Sequence, residues 1–238
     1  MSKRYNRVMK TSSLDVLYED NHLLVVNKPA GVVTQGANPD TPSLFHMAAQ
    51  YIKHKYNKPG NVFLGITSRL DAPTTGVVAI ARTSKAAGRL MIQFRDREVE
   101  KTYWAVVAGR VSPGSGEWTD YLAPDKRHRS MNVARPSDPE AKEARLRYRV
   151  LEQLSDRALV EVQLLTGRKH QIRVQFAHRG HPIWGDIKYG GPRGFSPGIA
   201  LHARGLKFTH PVRKEPLEVT APLPRSWQQL GLDRKWTD

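Results

Sequence analysis

The run S-R-L-D-A-P-T-T-G, Ser68 to Gly76, holds the residue types best suited to chemistry in this chain. Asp71 precedes a turn-forming Pro/Thr/Gly stretch, and the apolar run Val77-Val78-Ala79-Ile80-Ala81 follows as a buried strand. A carboxylate at a loop end beside a rigid sheet is well placed to act as nucleophile or general base. Arg69 adds a cation on the same loop. Taken alone, this run is better explained by an Asp71 that merely hydrogen-bonds the turn backbone. The rest of the chain changes that balance.

Other chemistries fail on their own requirements. Gly194-Phe195-Ser196-Pro197-Gly198 matches the G-x-S-x-G of a hydrolase nucleophile elbow. That motif needs the backbone N–H after the serine, and Pro197 has none. His170, His178, His181, His202 and His210 match no zinc spacing, and no H-E-x-x-H occurs, so no metal is expected. There is no phosphate-binding G-x-x-x-x-G-K-[ST] loop and no dinucleotide fingerprint. The chain has no cysteine, which removes disulfides and thiolate catalysis.

Lys and Arg outnumber Asp and Glu by 38 to 22 over 238 residues, a net charge of +16. The excess runs through the chain, which points to a basic face on a folded body that meets a polyanion. No apolar run spans a bilayer, and no apolar segment follows the basic start. A cytoplasmic, monomeric protein without a membrane partner is expected.

The loop must be positioned by the elements around it. Residues 1–13 read as a basic arm, too short for a separate module, and 14–238 as a single catalytic domain. Leu14 to Glu19 and His22 to Asn27 read as paired strands joined at Asp20-Asn21. Thr41-Pro42 should cap and open a helix bearing Leu44, Ala48, Tyr51 and Ile52 on one face. Thr83 should cap a second, with Ala86, Ala87, Leu90, Met91 and Phe94 inward and Lys85, Arg89, Gln93 and Arg97 off that face. Strands are expected at 103–108, 144–150, 159–165, 200–209 and 216–220, the second with an outward row of arginines. Ile172 and Phe176 mark a short helix, as do Trp227 and Leu230. Residues 111–143, rich in Pro, Gly, Ser and charge, read as an irregular excursion. The sum is α+β, with a mainly antiparallel sheet and flanking helices.

R-L-D followed by T-T-G, with V-N-K-P-A-G at 26–31 upstream, resembles the RluA-type family of RNA pseudouridine synthases. K-T-Y at 101–103, G-R-K-H-Q-I-R-V at 167–174, G-H-P-I-W-G-D-I-K-Y-G at 180–190 and L-H-A at 201–203 follow in the family's order. The resemblance covers about residues 14 to 220. It implies the pseudouridine synthase fold, a bent mixed sheet crossed by an RNA-binding cleft, and an isomerase acting on ribosomal or transfer RNA. No cofactor is implied, because the reaction exchanges no electrons, phosphate or acyl groups.

The resemblance also assigns roles. Asp71 becomes the catalytic carboxylate and Arg173 the arginine that favours and orients its charged form. Tyr103 becomes the active-site tyrosine, stacking on uracil or serving as base at C5. Arg69 would enter the space left by a flipped nucleotide. Arg168 and Lys169, with Lys101, His170 and Gln171 of the same blocks, would contact RNA. Two positions depart from the pattern: Ser68 replaces the usual histidine, and Thr74-Thr75 replaces Thr-Ser, keeping the hydroxyl. A catalytically silent RNA binder or RNA chaperone on this scaffold is the rival reading. Joint retention of Asp71, Tyr103 and Arg173 argues against it.

Overall fold

The computed structural model describes residues 14–36 and 43–237, so the basic arm and the Thr41-Pro42 pair lie outside the described residues. Strands β1 (Val16–Glu19) and β2 (Leu23–Lys28) form the expected hairpin. The Asp20 carboxylate accepts from the N–H groups of His22 and Leu23 at its turn. Helix α1 (Leu44–Lys55) is capped by Ser43, whose hydroxyl accepts from His46 N. A serine hydroxyl that reaches the free N–H three residues on is a good cap.

After the short β3 (Gly65–Ile66), every residue of β4 (Thr75–Ala81) is buried. Val78 and Ile80 pack against Leu44, Met47, Ala48 and Ile52 of α1. Val77, Ala79 and Ala81 share a core with Ala86, Ala87 and Leu90 of α2 (Ser84–Arg95). A strand covered on both faces explains an unbroken apolar run. Thr83 caps α2 as expected, but its inward face differs. Met91 is 59% exposed, while Gln93 is buried with its amide donating to and accepting from the backbone of Thr209. A satisfied amide is tolerated inside, and its helix face then follows.

Strand β5 (Glu100–Ala108) leads to the main correction. Residues 111–143 contain β6 (Ser115–Asp125), β7 (Ser130–Ala134) and the start of β8 (Lys142–Gln153), so they are a hairpin and not an irregular excursion. Much of β6 is exposed, and ladder hydrogen bonds to two neighbours hold it where an apolar face would ordinarily do so. Its polar composition therefore hides its extended backbone.

Strand β9 (Arg157–Leu164), helix α3 (Gln171–His178), strands β10 (Leu201–Thr209) and β11 (Pro216–Thr220) and the short α4 (Arg234–Thr237) complete the chain. Trp227 and Leu230 are buried in the expected short helix, Arg225–Leu230, which is of 3-10 type. The eleven strands join one sheet in the order β1-β2-β4-β10-β5-β9-β8-β6-β7, with β11 on β10 and β3 on β4. Every pairing between these strands is antiparallel except β4 with β10, where Thr75 and Gly76 face His202 and Ala203. No helix among the described residues is long and apolar enough to cross a membrane.

Candidate active site

The loop between β3 and β4 is held by its backbone. Thr34 Oγ1 donates to Leu70 O at 2.8 Å and accepts from Leu70 N at 3.0 Å. Gly31 N and Lys28 Nζ donate to Ala72 O, and Ile199 N donates to Pro73 O. The turn closes through Thr74 N and the Asp71 carbonyl. The Asp71 carboxylate is therefore not consumed by the turn, which removes the reading in which it merely bonds the turn backbone.

The carboxylate instead meets Arg173, whose Nη1 donates to Asp71 Oδ2 at 2.8 Å. Arg173 lies on α3, only 4% exposed. Its Nε and Nη2 donate to Asp186 Oδ2 and Oδ1 at 2.7 and 2.9 Å. Asp186 is 2% exposed, so this is a buried bidentate pair that braces the guanidinium. Burial opposes the Arg173 charge, but the Asp186 bonds and charge, then those of Asp71, hold its pKa above the usual arginine range.

His170 begins α3 in a left-handed conformation, φ +55. Its Nδ1 lies 2.6 Å from the Tyr189 hydroxyl, and that oxygen accepts from Met131 N. The other ring nitrogen, Nε2, lies 3.7 Å from Asp71 Oδ2. Burial pushes the imidazole down to about 4, so the ring is neutral near pH 7. Burial and then the Asp71 charge push the Tyr103 phenol up. A neutral phenol suits stacking.

Asp71, Tyr103 and His170 border a cleft of about 1100 Å³. Arg69, Arg95, Arg97, Lys101, Arg168 and Lys169 line it, and among the described residues Asp71 is the single carboxylate in the lining. Such a wall attracts a phosphate backbone. A narrower recess beside it brings Asp71, Tyr103 and Arg173 together.

Residues 22–178 match the family model described as RNA pseudouridylate synthase. The chain belongs to the RluA-type family of RNA pseudouridine synthases. The synthase is 37% identical to the ribosomal large subunit pseudouridine synthase D of Xanthomonas campestris, over 91% of this chain and 68% of the relative. It is 33% identical to the ribosomal large subunit pseudouridine synthase C of Vibrio vulnificus, over 96% and 71%. The solved structure of human RNA pseudouridylate synthase domain containing 4 superposes with TM-score 0.79 at 27% identity, covering 98% of this chain and 99% of that one. The pseudouridine synthase fold is thus established.

Of the residues singled out from sequence, Asp71, Arg173, Tyr103, Arg69, Lys101, Arg168, Lys169 and His170 all border the cleft or its recess, as does Ser68. Gln171 borders the recess too. Its Oε1 accepts from Thr166 Oγ1 and Arg168 N, and its Nε2 donates to Arg145 O. That buried side chain shapes the Arg168 loop at the edge of the recess. Thr75 uses its retained hydroxyl against His202 Nδ1 at 2.8 Å, where β4 meets β10.

Sequence reasoning missed Asp186, Tyr189 and Lys28 as members of this network. All three lie in quoted motif blocks, G-D-I-K-Y-G and V-N-K-P-A-G. Lys28 is fully buried, and its ammonium donates to the carbonyls of Pro29, Val32 and Ala72. Burial pushes it down to about 7, with the Asp71 charge opposing.

Proposed function

We propose that this synthase isomerises a specific uridine of ribosomal RNA, with Asp71 as the catalytic carboxylate and residues 14–238 acting as one catalytic unit. The observation that carries the reading is the Asp186–Arg173–Asp71 chain ending in a basic cleft. The large-subunit names of the relatives favour the ribosomal target.

In this reaction the C1′–N1 bond breaks, C1′ bonds to C5, C5 gives up its proton and N1 takes one. Asp71 labilises the first bond, by attack on the sugar or base or by deprotonating C2′. Arg173 fixes the carboxylate's direction and keeps it charged. Tyr103 supports the ring by stacking and stands as the candidate base at C5. Arg69, exposed on the same loop, fills the stack vacated by the flipped nucleotide.

The test is Asp71→Asn, which keeps shape and hydrogen bonding but can act neither as nucleophile nor as base. Tritium release from C5-tritiated ribosomal RNA should vanish, while RNA affinity and the unfolding midpoint stay near wild type. Wild-type release would remove Asp71 from the chemistry.

A further inference from the structure

Arg97 and Lys101 border the cleft yet take no part in the chemistry above. Arg97 reaches it from the α2–β5 connection and Lys101 from the start of β5, whereas Gly167, Arg168 and Lys169 reach it from the β9–α3 connection. The two sides touch: a Cβ on Gly167 would lie 3.7 Å from Lys101 Nζ. A left-handed Arg97, φ +64, turns the chain between α2 and β5. It is the left-handed residue that ends α2, where Glu98 N donates to Gln93 O.

Neither Arg97 nor Lys101 has a carboxylate within ion-pair distance among the described residues. Of the acids nearest in sequence, Asp96 and Glu100 pair with Arg95 and Lys207, and Glu98 makes no ion pair with either cation. Burial and then the Arg97 charge push the Lys101 ammonium down. Two cations held together without an anion raise the energy of the empty cleft, and a bound anion would lower it.

Spacing selects the anion. Lys101 and Tyr103 alternate with Thr102 on β5, so they share a sheet face about 6.7 Å apart along the strand. A base stacked on Tyr103 therefore sets a neighbouring backbone linkage beside Lys101. We infer that Arg97 and Lys101 form a phosphodiester site for the linkage flanking the target uridine. The inference rests on the RNA reading above and fixes the register of the strand in the cleft.

The probe is the pentaribonucleotide AAUAA, with the linkage on either side of uridine left natural or replaced by an uncharged methylphosphonate. Binding is measured by anisotropy for wild type, Lys101→Met, Lys101→Arg and the surface variant Arg97→Gln. One of the two replacements should weaken wild type about tenfold. Lys101→Met and Arg97→Gln should lose affinity for the natural probe and lose little more on that replacement, while Lys101→Arg stays near wild type. The slope of log K against log salt should shrink by about 0.7 in Lys101→Met, one single-strand phosphate. Equal replacement penalties in wild type and both charge-removing variants would overturn the site while leaving RNA binding intact. Failure of wild type to bind the probe with any salt dependence would overturn the RNA reading and the site with it.

Discussion

Arg173 spends two nitrogens on Asp186 before it meets Asp71, so one carboxylate is aimed by another buried behind it. Asp186→Asn should lower kcat about a hundredfold with little change in KM, because the substrate never touches this residue. It should also cost about 3 kcal/mol of stability, since Arg173 loses its compensating charge. Turnover and urea unfolding of the purified variant check both, and an unchanged kcat would show that Asp71 is oriented without it. Lys28 gives a pH signature. Between about 7 and 10.5 the unfolded chain keeps a proton that folded Lys28 has released, so stability rises with pH there and is flat below. Replacing Lys28 by Met should remove a slope of at most about 1.4 kcal/mol per pH unit from that window, read from unfolding curves at several pH values. A variant with the wild-type slope would assign the titration elsewhere. At this scale the sequence was legible where a motif pairs residue type with a known role, as for Asp71 and Arg173. It was silent on Asp186 and Tyr189, because G-D-I-K-Y-G also reads as an ordinary turn, and only folding brings its carboxylate onto a guanidinium thirteen residues earlier.

The parallel contact of β4 with β10 is the element on which the loop depends. Gly76 sits there at φ +114, and a Cβ would lie 2.3 Å from Ala203 O and 2.5 Å from Ala203 N. Gly76→Ala must push the two strands apart, and Thr75, which carries the end of the loop, moves with them. We expect a loss of about 3 kcal/mol together with a fall in activity beyond that explained by unfolded protein. Denaturant melts and turnover per folded molecule separate the two effects, and an alanine variant of wild-type stability would show that the seam yields. Elements whose apolar pattern matches their burial, such as β4, β8 and β9, were readable from periodicity. Those set by tertiary hydrogen bonds were not: Gln93 displaced Met91 from the inner face of α2 by binding Thr209, and Ser43 took the cap of α1. The β6–β7 hairpin escaped notice because its ladders, more than an apolar face, define it. It also matters to the site, since Met131 on β7 donates to the Tyr189 hydroxyl that faces His170.

For the whole molecule, the net charge of +16 was evident from composition, but its distribution was not. The outward arginines of β8 are matched: Arg145 and Arg147 pair with Glu117, and Arg149 with Glu161. Around the cleft, Arg69, Arg97, Lys101 and Lys169 have no such partner among the described residues. RNA affinity should therefore be carried by that wall. If about five phosphates are neutralised on single-stranded RNA, log K against log salt should slope by about −3 to −4. Charge-neutral replacement of Arg147 and Arg149 should leave that slope unchanged in a filter-binding titration; a shallower slope would place RNA on the outer strand as well. The matched arginine row has one more consequence. A body whose positive charge is cancelled along one strand and bare at its mouth behaves as an electrical compass needle. A polyanion some ten ångströms away, about one Debye length at 0.1 M salt, exerts a torque before any contact forms. Productive encounters would then owe less to random tumbling than to rotation in the substrate's own field.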